Sequence, residues 1–428
     1  MNNDLPSTSR RRGDLDVIVV GAGAVGGALA LALARDGFSA ALVEAREPAP
    51  WREAGDVDLR VVALAPDARA LLADLDVWTS IESARVSPYR RMRVWDALAS
   101  GELAFDAAER GEAALGWIVE NKLIQHALWN ALSGRSGFSR NAVFDKGIAA
   151  EAASKVARTE MSLRVYCPAT IAEITEDEDA MTATLDDGTR LRARMLVAAE
   201  GAESSVRQRL GIGFDGRDYG ARAVVAHVAT ERSHENTAWQ RFMPGGPLAF
   251  LPLGDGRSSI VWSLPEAEAA RVLALDDAAF CAELGAAFDF RLGAIAATTK
   301  RAAFPLRLRL AERYVAGRCV LMGDSAHLVH PLAGQGMNLG LRDIACLRRV
   351  LRDARTRGSD IGAAHVLRRY ERERRSENTL AARGLDAIER VYGSSSPPLA
   401  ALRGVALAAA GRFAPIRHVL ADLAAGRS

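Results

Sequence analysis

The pattern of apolar and polar positions changes period several times along the chain. DVIVV (16–20) is a short apolar run without alternation, as in a strand buried on both faces. GAGAVG (21–26) interrupts it, and an Ala/Leu-rich helix then runs to Gly37. SAALVE (39–44) predicts a second buried strand that ends on an acid, which completes a βαβ start. DLRVVALAPDARALLADLDVW (58–78) predicts a strand end and a helix, RMRVWDA with GELAF a hairpin, and ENKLIQHALWNAL (120–132) a helix. From 134 to about 160 the periodicity is lost, which predicts a long surface excursion. TATLDDGTRLRARMLVAAEG (182–201) predicts a hairpin around an Asp-Gly turn that continues into an apolar strand. Alternating segments from Arg222 to about Ser263, with Trp239, Phe242, Phe250 and Trp262, predict the β-sheet of a second domain. RCVLMGDSAH (318–327) predicts a further strand, and beyond Gly336 the spacing is mostly helical. No internal repeat is present.

Composition narrows this picture. The 428 residues are 49% apolar and 25% charged, ordinary for a globular chain. A net charge of +2 is too small for a nucleic-acid binder driven by phosphate neutralisation. The charge is unevenly placed: Leu347–Ser428 holds sixteen arginines and eight acids, so the remainder is net negative. A basic tail suits an anionic membrane surface or an acidic partner, and equally a solvated helix face. The four cysteines (Cys167, Cys281, Cys319, Cys346) form no CxxC, which points to a reduced, cytoplasmic setting without a zinc ribbon or redox pair. Arg10–Arg12 before the eighteen uncharged residues 17–34 imitates an export signal, but Asp14 and Asp16 break the junction and the apolar run carries a phosphate-loop pattern.

The candidate chemistry lies in two glycine-rich stretches. In GAGAVG, Gly21 would make the tight turn, Gly23 would let backbone approach a pyrophosphate, and Gly26 would let helix pack on strand. Glu44 would accept from ribose hydroxyls, so the unit suits the adenosine half of FAD or NAD. GDSAHLVHPLAGQGMNLGLRD (323–343) is poor in charge and rich in glycine. Asp324 could accept from a ribityl-like chain, and the bare backbone of Pro331, Gly334, Gln335 and Gly336 precedes a second helix start near Met337. Such a terminus would stabilise negative charge on a reduced flavin ring. Two such devices some three hundred residues apart imply one extended cofactor held at both ends. His327 and His330 lie at i, i+3 without a carboxylate or cysteine to complete a metal set, so no metal is expected. No GxSxG elbow is present.

GxGxxG with Glu44, LVAAEGAESSVR (196–207) and the 323–343 stretch together resemble the three fingerprints of group A flavoprotein aromatic hydroxylases. DLRVVAL (58–64), PYRRMRVWDA (88–97), ENKLIQHALWNAL, NTAWQRFMPGGPLAFLPL (236–253) and LRRYERERRSEN (367–378) resemble, more narrowly, the ubiquinone-biosynthesis hydroxylases that oxidise a polyprenylated phenol ring. The resemblance implies FAD as cofactor, O2 as co-substrate, and NAD(P)H or a protein donor as reductant. It implies chemistry through a flavin C4a-hydroperoxide, with no dedicated protein nucleophile. Gly21, Gly23, Gly26 and Glu44 would hold the ADP half; Arg60 and Gln125 would meet the phosphate and ribityl portion. Asp324 would bind the ribityl chain or phosphate, and Pro331 through Asn338, with Gly336 and Met337, would line the isoalloxazine. Glu200 stands where the family has Asp, keeping the charge with a longer reach. Trp239, Phe250 and Pro252 are the expected walls of an apolar ring pocket.

The implied fold class is α/β: a Rossmann-like FAD-binding domain of glutathione-reductase type, an inserted β-sheet substrate domain, and a helical C-terminal region. The expected division gives the FAD domain 1–80, 121–215 (with an insertion near 138–163) and 306–350, the substrate part 81–120 and 216–305, and the helical region 351–428. The expected partners are the prenylated phenol, other ubiquinone-biosynthesis proteins, and the inner face of the cytoplasmic membrane, which PPLAALRGVALAAAGRFAPIRHVLADLAAG (397–426) could contact. Three other readings stay open: the same chemistry on a small soluble phenol, a flavin reductase or dehydrogenase on this fold, and a non-catalytic assembly subunit.

Overall fold

The computed structural model describes residues 14–98, 101–135, 163–329 and 335–393. Arg10–Arg12, nearly all of the 138–163 segment, His330, Pro331, Gly334 and the 397–426 tail lie outside the described residues.

The first strand, Leu15–Val20, is the centre of an eight-stranded sheet. It pairs in parallel with Ala40–Val43 on one side and Arg190–Ala198 on the other. Leu163–Tyr166 and Cys319–Leu321 extend the parallel core outward. A strand buried on both faces needs helices on both faces, and the uniform apolarity of DVIVV follows from that. The helix Ala24–Arg35 is buried along nearly its whole length and packs against Asn121–Arg135 and Gln335–Thr356. Gly37 closes it at φ +77°, a conformation glycine adopts without penalty. The predicted Asp-Gly hairpin joins Met181–Leu185 to Arg190–Ala198, with Gly188 at φ +84°.

A second sheet has nine strands. Phe214–Thr230, Thr237–Phe242, Leu248–Pro252 and Ser258–Pro265 supply the stretch that the alternation pattern predicts. The hairpin Arg91–Asp96/Glu102–Asp106 joins them through a parallel pairing with Thr237–Phe242. Ala302–Ala311 adds a strand on the other side. The helices Glu266–Ala274 and Asp277–Ala287 cover one face, burying Ala269, Val272, Phe280 and Leu284 against Val224, Phe250 and Ile260. The opposite face is turned to the first body. A small three-stranded sheet, Val61–Leu64, Gly116–Glu120 and Val86–Tyr89, sits between them.

The long helix Ala364–Gly393 begins on the first core through Leu367 and Tyr370. It ends over the second sheet, where Tyr392 stacks on Phe242 with ring centroids 4.1 Å apart. Among the described residues no helix is long and apolar enough to cross a membrane.

Candidate cofactor and substrate site

The three fingerprint glycines do different physical work. Gly21 adopts φ +100°, and a Cβ there would lie 2.5 Å from the Ala199 carbonyl oxygen. At Gly26 a Cβ would lie 1.9 Å from the Gly21 carbonyl oxygen. Both therefore close the turn. A Cβ on Gly23 would meet nothing within 4 Å, and Gly23 caps the Ala24–Arg35 helix without a side-chain bond. The backbone N–H groups at this end keep their donors for an anion. Glu44 reaches the same corner: its Oε2 accepts from the Ala22 N–H at 2.5 Å and its Oε1 from the Arg46 N–H at 3.0 Å.

From this corner a cavity of about 700 Å³ runs between the two sheets. It brings together Gly21, Gly23, Glu44, Arg60, Gln125, Glu200, Asp324, Gly336 and Met337. Burial pushes the Asp324 carboxyl above the usual range, with His327 and Arg60 opposing. Val25 holds the two glycine-rich stretches together. A Cβ on Gly340 would come 2.7 Å from the Val25 Cγ2, and one on Gly323 within 3.3 Å of Val25.

Three expected contacts, Gly26, Gln335 and Asn338, do not line the cavity. Gly26 lies behind the turn as packing. Gln335 opens the helix Gln335–Thr356 and, like the buried Asn338, does not line the cavity. Asn338 accepts from the Ala65 N–H at 3.0 Å and donates to the Ala63 carbonyl at 2.9 Å, which fixes the strand Val61–Leu64 to the helix start. Glu200 uses its extra methylene locally. Its carboxylate accepts from Ser204 Oγ (2.6 Å), Ser205 Oγ (2.8 Å) and the Val206 N–H (3.0 Å), capping the short helix Ser205–Arg209.

Trp239, Phe250 and Pro252 do not line the cavity. Phe250 is fully buried and stacks on Phe288 at 3.7 Å between centroids. Trp239 packs edge-on against Trp95 and Phe288. These aromatics fill the helix-covered face. Neighbours on a strand point to opposite faces, so the cleft face belongs to the alternate residues. Register puts Val225, Val261, Ala249 and Gln240 in one row across that face, with His227, Ser259 and Leu251 in the next. Sequence reading missed this set because alternation defines two faces without labelling which one is covered.

His227 adds polarity at the margin of the apolar wall. Its Nε2 lies 3.1 Å from the Asp58 carbonyl, which can only accept, so Nε2 carries the proton. Burial lowers the imidazole pKa, leaving it neutral with Nδ1 as a bare acceptor. Among the described residues neither Nδ1 nor the buried Ser259 Oγ has a hydrogen-bond partner.

FAD fits this arrangement. The bare Gly23 faces open space at an uncapped helix start, Glu44 stands at the end of the second strand, and a second helix start reaches the same cavity at Gly336. A largely parallel sheet with this site at its strand ends, facing a mostly antiparallel sheet across the cavity, defines a dinucleotide-binding protein whose cleft is long enough to hold the cofactor at both ends. Residues 151–383 match the family model for the FAD binding domain. Along 411 residues the chain is 35% identical to 3-demethoxyubiquinol 3-hydroxylase of Escherichia coli K12, covering 96% of this chain and 98% of that one. It is 36% identical over 411 residues to the ubiquinone hydroxylase UbiL of Rhodospirillum rubrum, covering 96% and 89%. The crystal structure of p-nitrophenol 4-monooxygenase PnpA from Pseudomonas putida shares the fold, with TM-score 0.71 at 18% identity over 96% of this chain and 98% of that one. The chain belongs to the ubiquinone-biosynthesis family of FAD-dependent hydroxylases, within the flavoprotein aromatic monooxygenases.

Proposed function

We propose that this chain hydroxylates the aromatic ring of a polyprenylated phenol in ubiquinone biosynthesis. The observation that carries the reading is the apolar sheet wall of the cofactor cavity. Ala223, Val225, Leu251 and Val261 face the cleft, and the sheet's cation there, Arg307, is paired with Asp218 at 3.1 Å. Such a wall suits a neutral, lipid-bearing ring better than a soluble aromatic acid, which would need an unpaired cation. FAD, when bound, supplies the oxygen activation, with O2 as co-substrate and NAD(P)H or a protein donor as reductant. The chain's own residues do the rest. The Gly21–Gly26 turn and Glu44 bind the dinucleotide end, Asp324 and Arg60 meet its middle, and the apolar wall orients the ring and excludes water. In this reading 1–80, 121–215 and 306–350 form the cofactor body, and 81–120 with 216–305 the substrate part.

Mass spectrometry of lipid extracts tests the assignment. A strain without this gene is expected to accumulate a prenylated phenol one ring oxygen short of the next intermediate, and an added copy to clear it. Normal quinone in a strain with no other ring hydroxylase would overturn the assignment, and the intermediate itself identifies the ring position.

A membrane-bound substrate also suggests where the protein works. Leu380, Ile388 and Val391 are exposed on the helix Ala364–Gly393, and the chain beyond Leu347 is strongly basic. These features support peripheral contact with the inner face of the cytoplasmic membrane. The purified protein is expected to sediment with anionic vesicles and to be released by salt; equal binding to neutral vesicles would contradict the electrostatic part.

A further inference from the structure

The stretch LRRYERERRSEN (367–378) has no place in the chemistry above, yet Tyr370, Arg374 and Asn378 within it converge on the Gly323 turn. Gly323, at φ +59°, makes that turn, and its N–H donates to Asp343 Oδ2 at 3.0 Å. The same oxygen accepts from His327 Nε2 at 2.6 Å. The other oxygen accepts from Arg374 Nε at 2.7 Å and Asn378 Nδ2 at 3.1 Å. Asp343 and His327 are fully buried, and Arg374 nearly so. Burial pushes the Asp343 carboxyl up, but His327 and Arg374 outweigh it and hold it at about 2, so it stays an anion. Two neighbours on the same helix act nearby: Tyr370 Oη donates to the Leu321 carbonyl at 3.0 Å, and Glu371 Oε1 accepts from the Tyr314 N–H at 2.7 Å.

A buried ionic cluster is a poor way to gain stability, because apolar residues of equal volume serve as well or better. Its directional bonds can instead fix a backbone segment in one position. Here the segment fixed is the one that carries Asp324 into the cavity.

We propose that Asp343, His327 and Arg374 are positioning residues for FAD. Through the Gly323 N–H they hold the Gly323–Asp324 turn in register with the cofactor, so a helix far along the chain sets flavin affinity and flavin potential. The proposal rests on the cofactor assignment and not on the substrate reading, so failure of the lipid experiment leaves it standing.

The test uses the full-length protein, stripped of flavin and titrated with FAD, with the potential of the bound flavin measured separately. Arg374→Gln and His327→Leu are expected to weaken FAD binding roughly ten- to hundredfold, as removing outer-shell partners does at other bound groups. Both are expected to shift the potential of the flavin that remains. His327→Gln keeps an amide donor for Asp343 and is expected to restore most of the affinity. Arg348→Gln is the control. Arg348 lies on the same helix as Asp343, Gln335–Thr356, and its ion pairs run to Asp36 and Asp74 on other elements, so the variant is expected to lower the melting temperature without changing FAD affinity or potential. If Arg374→Gln does not fold, Arg374→Lys, which keeps the cation and loses the donor fork, takes its place with the same expected direction. Wild-type FAD affinity and potential in His327→Leu and the Arg374 variant, with only the melting temperature lowered, would overturn the proposal.

Discussion

Gly26→Ala is expected to yield protein that does not retain flavin. The added Cβ would lie 1.9 Å from the Gly21 carbonyl oxygen and 3.1 Å from the Ala199 Cβ. Neither neighbour is the free end of a flexible side chain. The helix Ala24–Arg35 would have to move off the strand, yet ten of its twelve residues are buried. Overpacking of an interior costs about 1–3 kcal/mol even where side chains can yield. Here the backbone turn itself must yield, so the helix N-terminus would leave its place beside Glu44. Gly23→Ala is the informative partner, because its Cβ would meet nothing in the protein. That variant is expected to melt like the wild type and still bind FAD weakly, since the methyl stands where the pyrophosphate must approach. Flavin absorbance of the purified proteins and melting of the flavin-free forms measure both effects. Full flavin content in Gly26→Ala would show that the helix is not docked on the strand in this way.

Leu251→Trp is expected to lower hydroxylation by roughly a hundredfold or more while leaving FAD bound, since misplacing a reacting ring by about an ångström is enough for such a loss. Leu251 faces the cavity, and the larger side chain would fill part of the space that the proposed function assigns to the ring. Its neighbour Phe250 points the other way, fully buried against Phe288. Phe250→Ala is therefore expected to cost about 3–5 kcal/mol of stability. Its turnover per folded, flavin-loaded molecule should stay near that of the wild type. Denaturant unfolding and turnover with a prenylated phenol separate the two outcomes. An active Leu251→Trp, or a stable but inactive Phe250→Ala, would mean the ring binds on the other side of the sheet.

Adjacent residues with opposite fates mark the boundary of what local pattern can reveal. The βαβ start and the Asp-Gly hairpin were legible because each is built from a short continuous stretch of chain. Apolar runs, period-2 alternation and glycine spacing report those local conformations directly. The three fingerprints likewise pointed to both ends of one cleft, and the cavity brings those ends together. Other features had no local trace. The pairing of Arg91–Asp96 with Thr237–Phe242 joins segments far apart in the chain, and the commitment of Asn338 to Ala63 and Ala65 spans more than 270 residues. The reach of Arg374 to Asp343 depends on how two long helices cross. Most of all, the burial of Phe250 and the cavity-facing position of Leu251 depend on which face of the sheet the helices Glu266–Ala274 and Asp277–Ala287 came to cover. By itself the sequence determined the elements and the chemistry each could offer. Tertiary packing decided which face of each element lines the cavity, because a side-chain period of 2 or 3.6 creates faces and only burial against a partner tells them apart.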